Sequence, residues 1–315
     1  MEMNKKGLYF TLMTMFMLTL FLFYFRTGSY YKYREKMVVT ENRINSLDNF
    51  IKSLERDATR GLYISSFRAL ISLEDYISAK GTFLDNFKER FIEALLNGTI
   101  NNEKAELMED SRFVDWINKI SLEGEKLNLD VNITINNIDI YHKSPWSIIV
   151  EANLNLTVND SLIDVYFKRN PIIRTEISII GFEDPLYIVY GEGKVTNIIE
   201  KTPFKVFFEK KGDEFNVSNL MAHINNSYYS NNSDAPSFLM RFENNLGSSP
   251  FGIESFVNLE KFYERGIEIE ERSCVDHLYF EGDDRDSFQI TNMPSWFRLD
   301  DEHINAYGLQ ELKVS

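Results

Sequence analysis

Residues 129–158 read LDVNITINNIDIYHKSPWSIIVEANLNLTV, and in this stretch the apolar positions recur every second residue. Val131, Ile133 and Ile135 alternate with Asp130, Asn132 and Thr134, and Ile148, Val150, Ala152, Leu154, Leu156 and Val158 repeat the pattern. A period of two sends alternate side chains to opposite faces, so these are strands with one buried face and one wet one. Asn159-Asp160 is a turn signal, after which Ile163, Val165 and Phe167 fold back as a hairpin. Asn170-Pro171 turns the chain again, and Thr175, Ile177 and Ile179 resume the alternation. The spacing predicts an antiparallel meander of about four strands.

Upstream of the sheet the period is helical. Ile44, Leu47, Ile51, Leu54 and Ala58 advance in steps of three and four, opposite Glu41, Arg43, Asp48, Lys52, Glu55 and Arg56. Such a stripe suits a coiled-coil seam or packing on the chain's own head. Gly61 and Ser65 interrupt the heptads, which favours the second. The apolar positions continue through Phe67, Leu70, Leu73, Tyr76 and Ile77, giving a helical stalk over 26–77 with Gly28-Ser29 as its expected break. Gly81 ends it, Thr82 and Asp85 cap a helix carrying Phe83, Phe87, Phe91, Leu95 and Leu96, and a third helix is expected from Asn102 to Leu127. Helices on one face of an antiparallel sheet make the fold class α+β. Their aromatic residues are read as core rather than as a cofactor pocket.

Downstream, NNSYYSNNSD at 225–234 has the lowest complexity and is expected to be an exposed loop or junction. The last part, 236–315, reads as a smaller lobe: an apolar segment at Phe238 to Phe242, a helix around Phe256 to Tyr263, and strands near Ile267 and Leu278. The resulting division is 1–7 as a cleavable leader, 8–25 as a membrane helix, the stalk at 26–77, helices plus sheet at 78–224, the junction at 225–235, and the C-terminal lobe.

The chain has 315 residues, with 34 Lys and Arg against 48 Asp and Glu, a formal charge of −14. That balance opposes nucleic-acid binding, and Lys194, Lys201, Lys205, Lys210 and Lys211 are read as solvated strand faces. Gly191-Glu192-Gly193 lacks the continuation of a phosphate loop. One cysteine, Cys274, allows neither an internal disulfide nor a paired-cysteine zinc site.

Leu8 to Phe25, LYFTLMTMFMLTLFLFYF, carries no charge, proline or glycine and spans roughly 27 Å as a helix, enough to cross a bilayer. Thr27-Gly28-Ser29 offers the competing reading of a cleaved secretory signal. Arg26, Lys32, Arg34 and Lys36 outnumber Lys5 and Lys6, which by charge alone favours an inward C-terminus. Long domains cross largely regardless of flanking charge, and acceptor sequons stand at Asn97, Asn132, Asn155, Asn159, Asn216, Asn225 and Asn231. Both orientations stay open, with an outward head favoured.

Asn4-Lys5-Lys6-Gly7, followed at once by the apolar run from Leu8, resembles the class III signal of archaeal type IV pilin-like proteins. The resemblance implies cleavage by a prepilin-type peptidase between Gly7 and Leu8, leaving the apolar helix on the mature chain. Bacterial-type pilins carry glutamate where this chain has Leu12, which points to a minor pilin, a pseudopilin or a simple anchor. The wider chain also resembles archaeal membrane-anchored proteins with such N-termini. The similarity runs through Ser144-Pro145-Trp146, Ile179 to Tyr187, Gly252-Ile253-Glu254-Ser255, and Asn292 to Phe297 with Leu299 to His303, and implies no activity.

The richest polar constellation is Cys274, Asp276 and His277, then Glu281, Asp283, Asp284 and Asp286, then Asp300, Asp301, Glu302 and His303. A thiol nucleophile with a histidine base and a carboxylate–histidine metal site are the two chemistries it invites. The bland readings are a buried small cysteine, an acidic turn, and carboxylates at a helix start. His142 and His223 have no partner in sequence. No catalytic residue, cofactor or metal is assigned. The function expected is that of a non-enzymatic, membrane-anchored, extracytoplasmic component of a filament, secretion or envelope assembly, with membrane lipid and like subunits as partners and no nucleic acid. A tethered ectodomain binding a ligand or protein, and an anchored hydrolase, are the alternatives.

Overall fold

A computed structural model describes residues 5–211 and 214–314, and the chain is a mixed α+β protein with an N-terminal apolar helix and antiparallel sheets. Helix α1 runs unbroken over Lys5–Lys80, about 114 Å at 1.5 Å per residue. Gly28-Ser29 is therefore not a break: the helix backbone continues through both residues, and one glycine costs a helix of this length only about 1 kcal/mol. Gly7–Arg26 within it is apolar enough to cross a membrane, with a mean hydropathy of 1.9 and none of it buried. Farther along, Leu47, Ile51, Leu54, Ala58, Leu62, Leu70, Leu73 and Ile77 are buried in the chain's own core, whereas Ile44 at the head of the stripe stays exposed.

The expected third helix is shorter than its pattern suggested. After α2 (Phe87–Asn97) comes a small hairpin of β1 (Thr99–Ile100) and β2 (Glu103–Lys104), and only then α3 (Phe113–Lys126). Glu93 of α2 accepts from the backbone N–H groups of Asn101 and Asn102, which holds this hairpin out of the helix. Gly61 explains the interrupted heptads: a Cβ there would lie 2.8 Å from the ring of Trp116, so its absence lets α3 sit close against α1.

The sheet is built from β3 (Leu129–Ser144), β4 (Ser147–Asp160), β5 (Val165–Arg169) and β6 (Ile172–Ser178). Val131 faces Val158 and Ile140 faces Val150 across the β3–β4 hairpin. Both β5 and β6 pair antiparallel with β4, one along 156–160 and the other along 147–153. Asn170-Pro171 therefore does not reverse the chain as expected. Proline has no N–H for the ladder, so pairing skips a step while the Pro171 carbonyl accepts from Leu154 N–H at 3.0 Å. The sheet has the four strands expected, but not in meander order, since β6 pairs with β4 rather than with β5. Arg43 of α1 clamps its far corner, donating to Asp160 at 2.6 Å.

Beyond the sheet come α4 (Pro185–Tyr190), β7 (Glu200–Lys201), the hairpin of β8 (Glu209–Lys211) and β9 (Glu214–Asn216), α5 (Ser218–Asn226), β10 (Tyr228–Asn231), α6 (Phe238–Arg241) and β11 (Ile253–Glu254). The expected junction at 225–235 instead supplies β10, the middle strand between parallel β7 and antiparallel β11. Tyr229 is fully buried there, and one inward aromatic residue turns a polar stretch into core. The chain closes with α7 (Leu259–Glu264), α8 (Asp276–Glu281), the hairpin of β12 (Ser287–Gln289) and β13 (Arg298–Asp300), and α9 (Asp301–Ala306). Ile267 lies in irregular backbone and Leu278 in α8, not in strands. Two apolar cores result, and neither respects the expected boundary. Tyr229, Phe238, Phe242 and Ile253 join the core of α1 and the sheet, while Leu186, Tyr187, Leu220 and Ile224 join the C-terminal one.

Candidate metal centre

Between the two cores lies a polar interior. Arg241 of α6 is fully buried and donates to Asp184 at 2.6 Å and to Asp276 at 2.9 Å, with a further hydrogen bond to the Ile253 carbonyl. Asp184 caps α4 by accepting from Leu186 N–H and also accepts from the Tyr229 hydroxyl at 2.7 Å. Asp276 accepts from the backbone N–H and hydroxyl of Ser255 and from His277 N–H. Burial pushes the Asp184 carboxyl up against the pull of Arg241. Asp276 is equally buried, but Arg241 and its hydrogen bonds hold it well below the usual carboxylate range. Burial likewise raises the Tyr187 and Tyr229 phenols.

Adjoining this triad, Glu254, His277 and His303 bring one donor atom each to within 4.8 Å of one another, and all three residues are buried. Three short elements do the positioning. Glu254 ends β11, which reaches its place because Gly252 passes close under the 232–235 turn. A Cβ at Gly252 would lie 2.1 Å from the carbonyl oxygens of Asn232 and Ala235, so only glycine fits. His277 is the second residue of α8 and His303 lies in the first turn of α9. Asp300 caps α9 by accepting from His303 N–H at 3.1 Å, and the same carboxylate takes His303 Nδ1 at 2.8 Å and the Ser273 hydroxyl at 2.8 Å.

His303 Nε2 stands 3.3 Å from Glu254 Oε2. Glu254 also accepts from Asn232 at 2.7 Å and from the Tyr307 hydroxyl. Burial works to lower the His303 pKa, but the hydrogen bonds to Asp300 and Glu254 outweigh it and lift the ring to about 9. Asp300 is held low by the same contact with His303, against its own burial. A cleft of about 270 Å³ opens onto Glu254, His303 and Tyr307, rimmed by Ser230, Asn232 and Glu302.

The remaining candidates fall outside this cluster. Cys274 is fully buried; its thiol donates to the Trp296 carbonyl and accepts from Arg298 N–H rather than meeting a histidine, and burial pushes its pKa up to about 12. Asp283 pairs with Arg285, which also reaches Glu302, in the loop after α8. His142 is lowered to about 4 by burial and accepts from Leu239 N–H. Burial also lowers His223, held by the Asn219 carbonyl. Gly191 makes the tight turn after α4, with no helix beginning there. Among the sequon asparagines, Asn97, Asn132, Asn216, Asn225 and Asn231 are exposed, and Asn155 and Asn159 on the middle strand β4 are half-buried. At the amino end, Gly7 and Leu8 are exposed on α1, while Asn4 and the side chains of Lys5 and Lys6 lie outside the described residues.

Arg241, Asp184, Glu254 and Tyr307 carried no assigned role in the sequence. The readable clue was a lone arginine inside Phe238-Leu239-Met240-Arg241-Phe242, since a charge in an apolar run must find a buried partner. Compared with known proteins, the chain matches no family model, no curated protein and no solved structure.

Proposed function

We propose that the chain is a single-pass membrane protein, pilin-like in its N-terminal design, that carries an extracytoplasmic α+β head on one continuous helix. The observation that supports this reading is the two-part character of α1. Its Gly7–Arg26 portion buries nothing, while the part from Leu47 to Ile77 is built into the head core. Exposing that many apolar side chains to water is unfavourable by about 25 cal/mol per Å², so the first portion calls for lipid or for like helices. The basic residues after the span and the class III signal Lys5-Lys6-Gly7-Leu8 fit a helix left on the mature chain. The head, with exposed sequon asparagines at five positions, supplies the specific contacts. The test is the intact mass and N-terminal sequence of the native membrane-extracted protein, expressed with its prepilin-type peptidase. A start at Leu8 supports the pilin-like reading, a start at Met1 reduces it to a plain anchor, and a start at Tyr30 overturns the membrane assignment. The cleft beside Glu254 and His303 favours a second reading, in which the tethered head binds a ligand without joining any filament.

A further inference from the structure

We infer that Glu254, His277 and His303 form a mononuclear centre for a divalent transition metal, with Zn²⁺ the best match to the donor set. This goes beyond the anchored-head reading and does not depend on it, because every residue involved lies in the C-terminal half of the head.

Convergence is the first support. Two imidazoles and one carboxylate offer donors within 4.8 Å of one another. The 3.3 Å between His303 Nε2 and Glu254 Oε2 equals the edge of a tetrahedron with metal–ligand bonds of about 2.0 Å. The second support is the shell behind the donors. A metal-binding histidine commonly gives its other ring nitrogen to a carboxylate, which fixes the ring and its tautomer. Here both rings have that partner: Asp276 stands 3.4 Å from His277 Nδ1, and Asp300 stands 2.8 Å from His303 Nδ1. In each ring Nε2 is then the nitrogen available to a cation, which on His303 takes the place of the hydrogen bond to Glu254. The Nε2 of His277 makes no hydrogen bond among the described residues.

Donor chemistry gives the third support. Imidazole donors suit Zn²⁺ and its transition-metal neighbours, whereas Ca²⁺ and Mg²⁺ take oxygen shells. The cleft at Glu254 and His303 supplies the route in and leaves a fourth coordination position for water. Asp300 is a positioning residue here, acting through His303.

The experiment uses the full chain solubilised in mild detergent, stripped with chelator and then dialysed against micromolar Zn²⁺ or Co²⁺. Metal is counted by plasma mass spectrometry, and the Co²⁺ form is read by visible absorption. One metal per chain and a tetrahedral Co²⁺ spectrum are expected. His277→Gln and His303→Gln should lose stoichiometric binding, and Asp300→Asn should weaken it about 10–100-fold and alter the Co²⁺ spectrum, with far-UV circular dichroism unchanged. The wild-type titration decides the matter even where a variant fails to fold. No stoichiometric Zn²⁺ or Co²⁺ on the wild type, or a preference for Ca²⁺ or Mg²⁺, overturns the assignment.

Discussion

Replacing Arg241 with leucine tests whether the seam between the two cores is held by charge. The guanidinium is fully buried and bonds to Asp184 at 2.6 Å, to Asp276 at 2.9 Å and to the Ile253 carbonyl. Arg241→Leu removes all of these and leaves two carboxylates facing each other in a low-dielectric interior. Two lost charge-assisted hydrogen bonds at about 1.5–3 kcal/mol each amount to roughly 3–6 kcal/mol, in line with the ~3–5 kcal/mol typical of breaking a buried ion pair from one side. Hydrogen bonds left on the carboxylates, from Tyr229 and Leu186 to Asp184 and from Ser255 and His277 to Asp276, keep the loss toward the lower end. Since about 1.4 kcal/mol is tenfold, the unfolding equilibrium should shift by about a hundredfold or more. Urea unfolding of the detergent-solubilised chain, followed by fluorescence of Trp116, Trp146 and Trp296 in chelator-containing buffer, measures this without any metal contribution. Arg241→Lys should lose less, because it keeps the positive charge, but it should still lose some, because an ammonium is a point charge and cannot make the same forked contacts. The triple variant Asp184→Asn, Arg241→Leu, Asp276→Asn removes the charges together and should regain most of the loss. If Arg241→Leu costs under about 1 kcal/mol, or the triple variant is no more stable than the single one, the reasoning fails.

Glu74 on α1 is 8% exposed, and burial, with Glu183 and Asp75 nearby, raises its pKa from 4.5 to about 9. Its folded-state pKa lies above the unfolded one, so the folded state holds a proton the unfolded state lacks between those values. Its contribution is complete below pH 4.5, declines by up to about 1.4 kcal/mol per pH unit, and is lost as pH passes about 9. Glu74→Gln should remove that slope, so wild type and variant diverge by about 3 kcal/mol between roughly pH 5.5 and 7.5 in parallel unfolding curves; equal slopes would contradict the placement of Glu74. Cys274, buried with a raised thiol pKa, should resist iodoacetamide in the native chain and react fully in urea, and rapid native labelling would show that it is accessible.

Those parts of the fold that one local pattern determines were legible in the sequence. The alternation from Ile148 to Val158 is strand β4, with its even-numbered residues buried, because one face of that sheet meets the core and the other meets water. The step pattern at Leu47, Ile51, Leu54 and Ala58 marks the buried stripe of α1 for the same reason. Local signals misled where tertiary contacts set the outcome. Gly28-Ser29 looks like a break, yet the helix carries it; NNSYYSNNSD looks like a loop, yet pairing with β7 and β11 makes part of it a strand. The candidate site was only half legible. Asp300 and His303 sit one helical turn apart, so their contact follows from the cap. Glu254 reaches His303 only because Gly252 lets β11 pass under the 232–235 turn, and no spacing along the chain encodes that approach.

The polar interior also constrains what the head can be for. An apolar seam between the two cores would be as stable or more so, since the desolvation of buried ions commonly offsets their attraction. Stability alone therefore does not account for an arginine, four carboxylates and two imidazoles drawn from α4, α6, β11, α8, β13 and α9. What such a set provides is fixed geometry. Arg241 ties α4 and α6 to α8, and Asp276 then passes that constraint directly to His277. From the other side, Glu254 and Asp300 hold His303. The two rings are thereby oriented from opposite ends of the seam, and His303 lines a cleft open to solvent. That arrangement makes the head more than a spacer on an apolar helix: the geometry fixed between its cores is that of the cation site inferred from Glu254, His277 and His303.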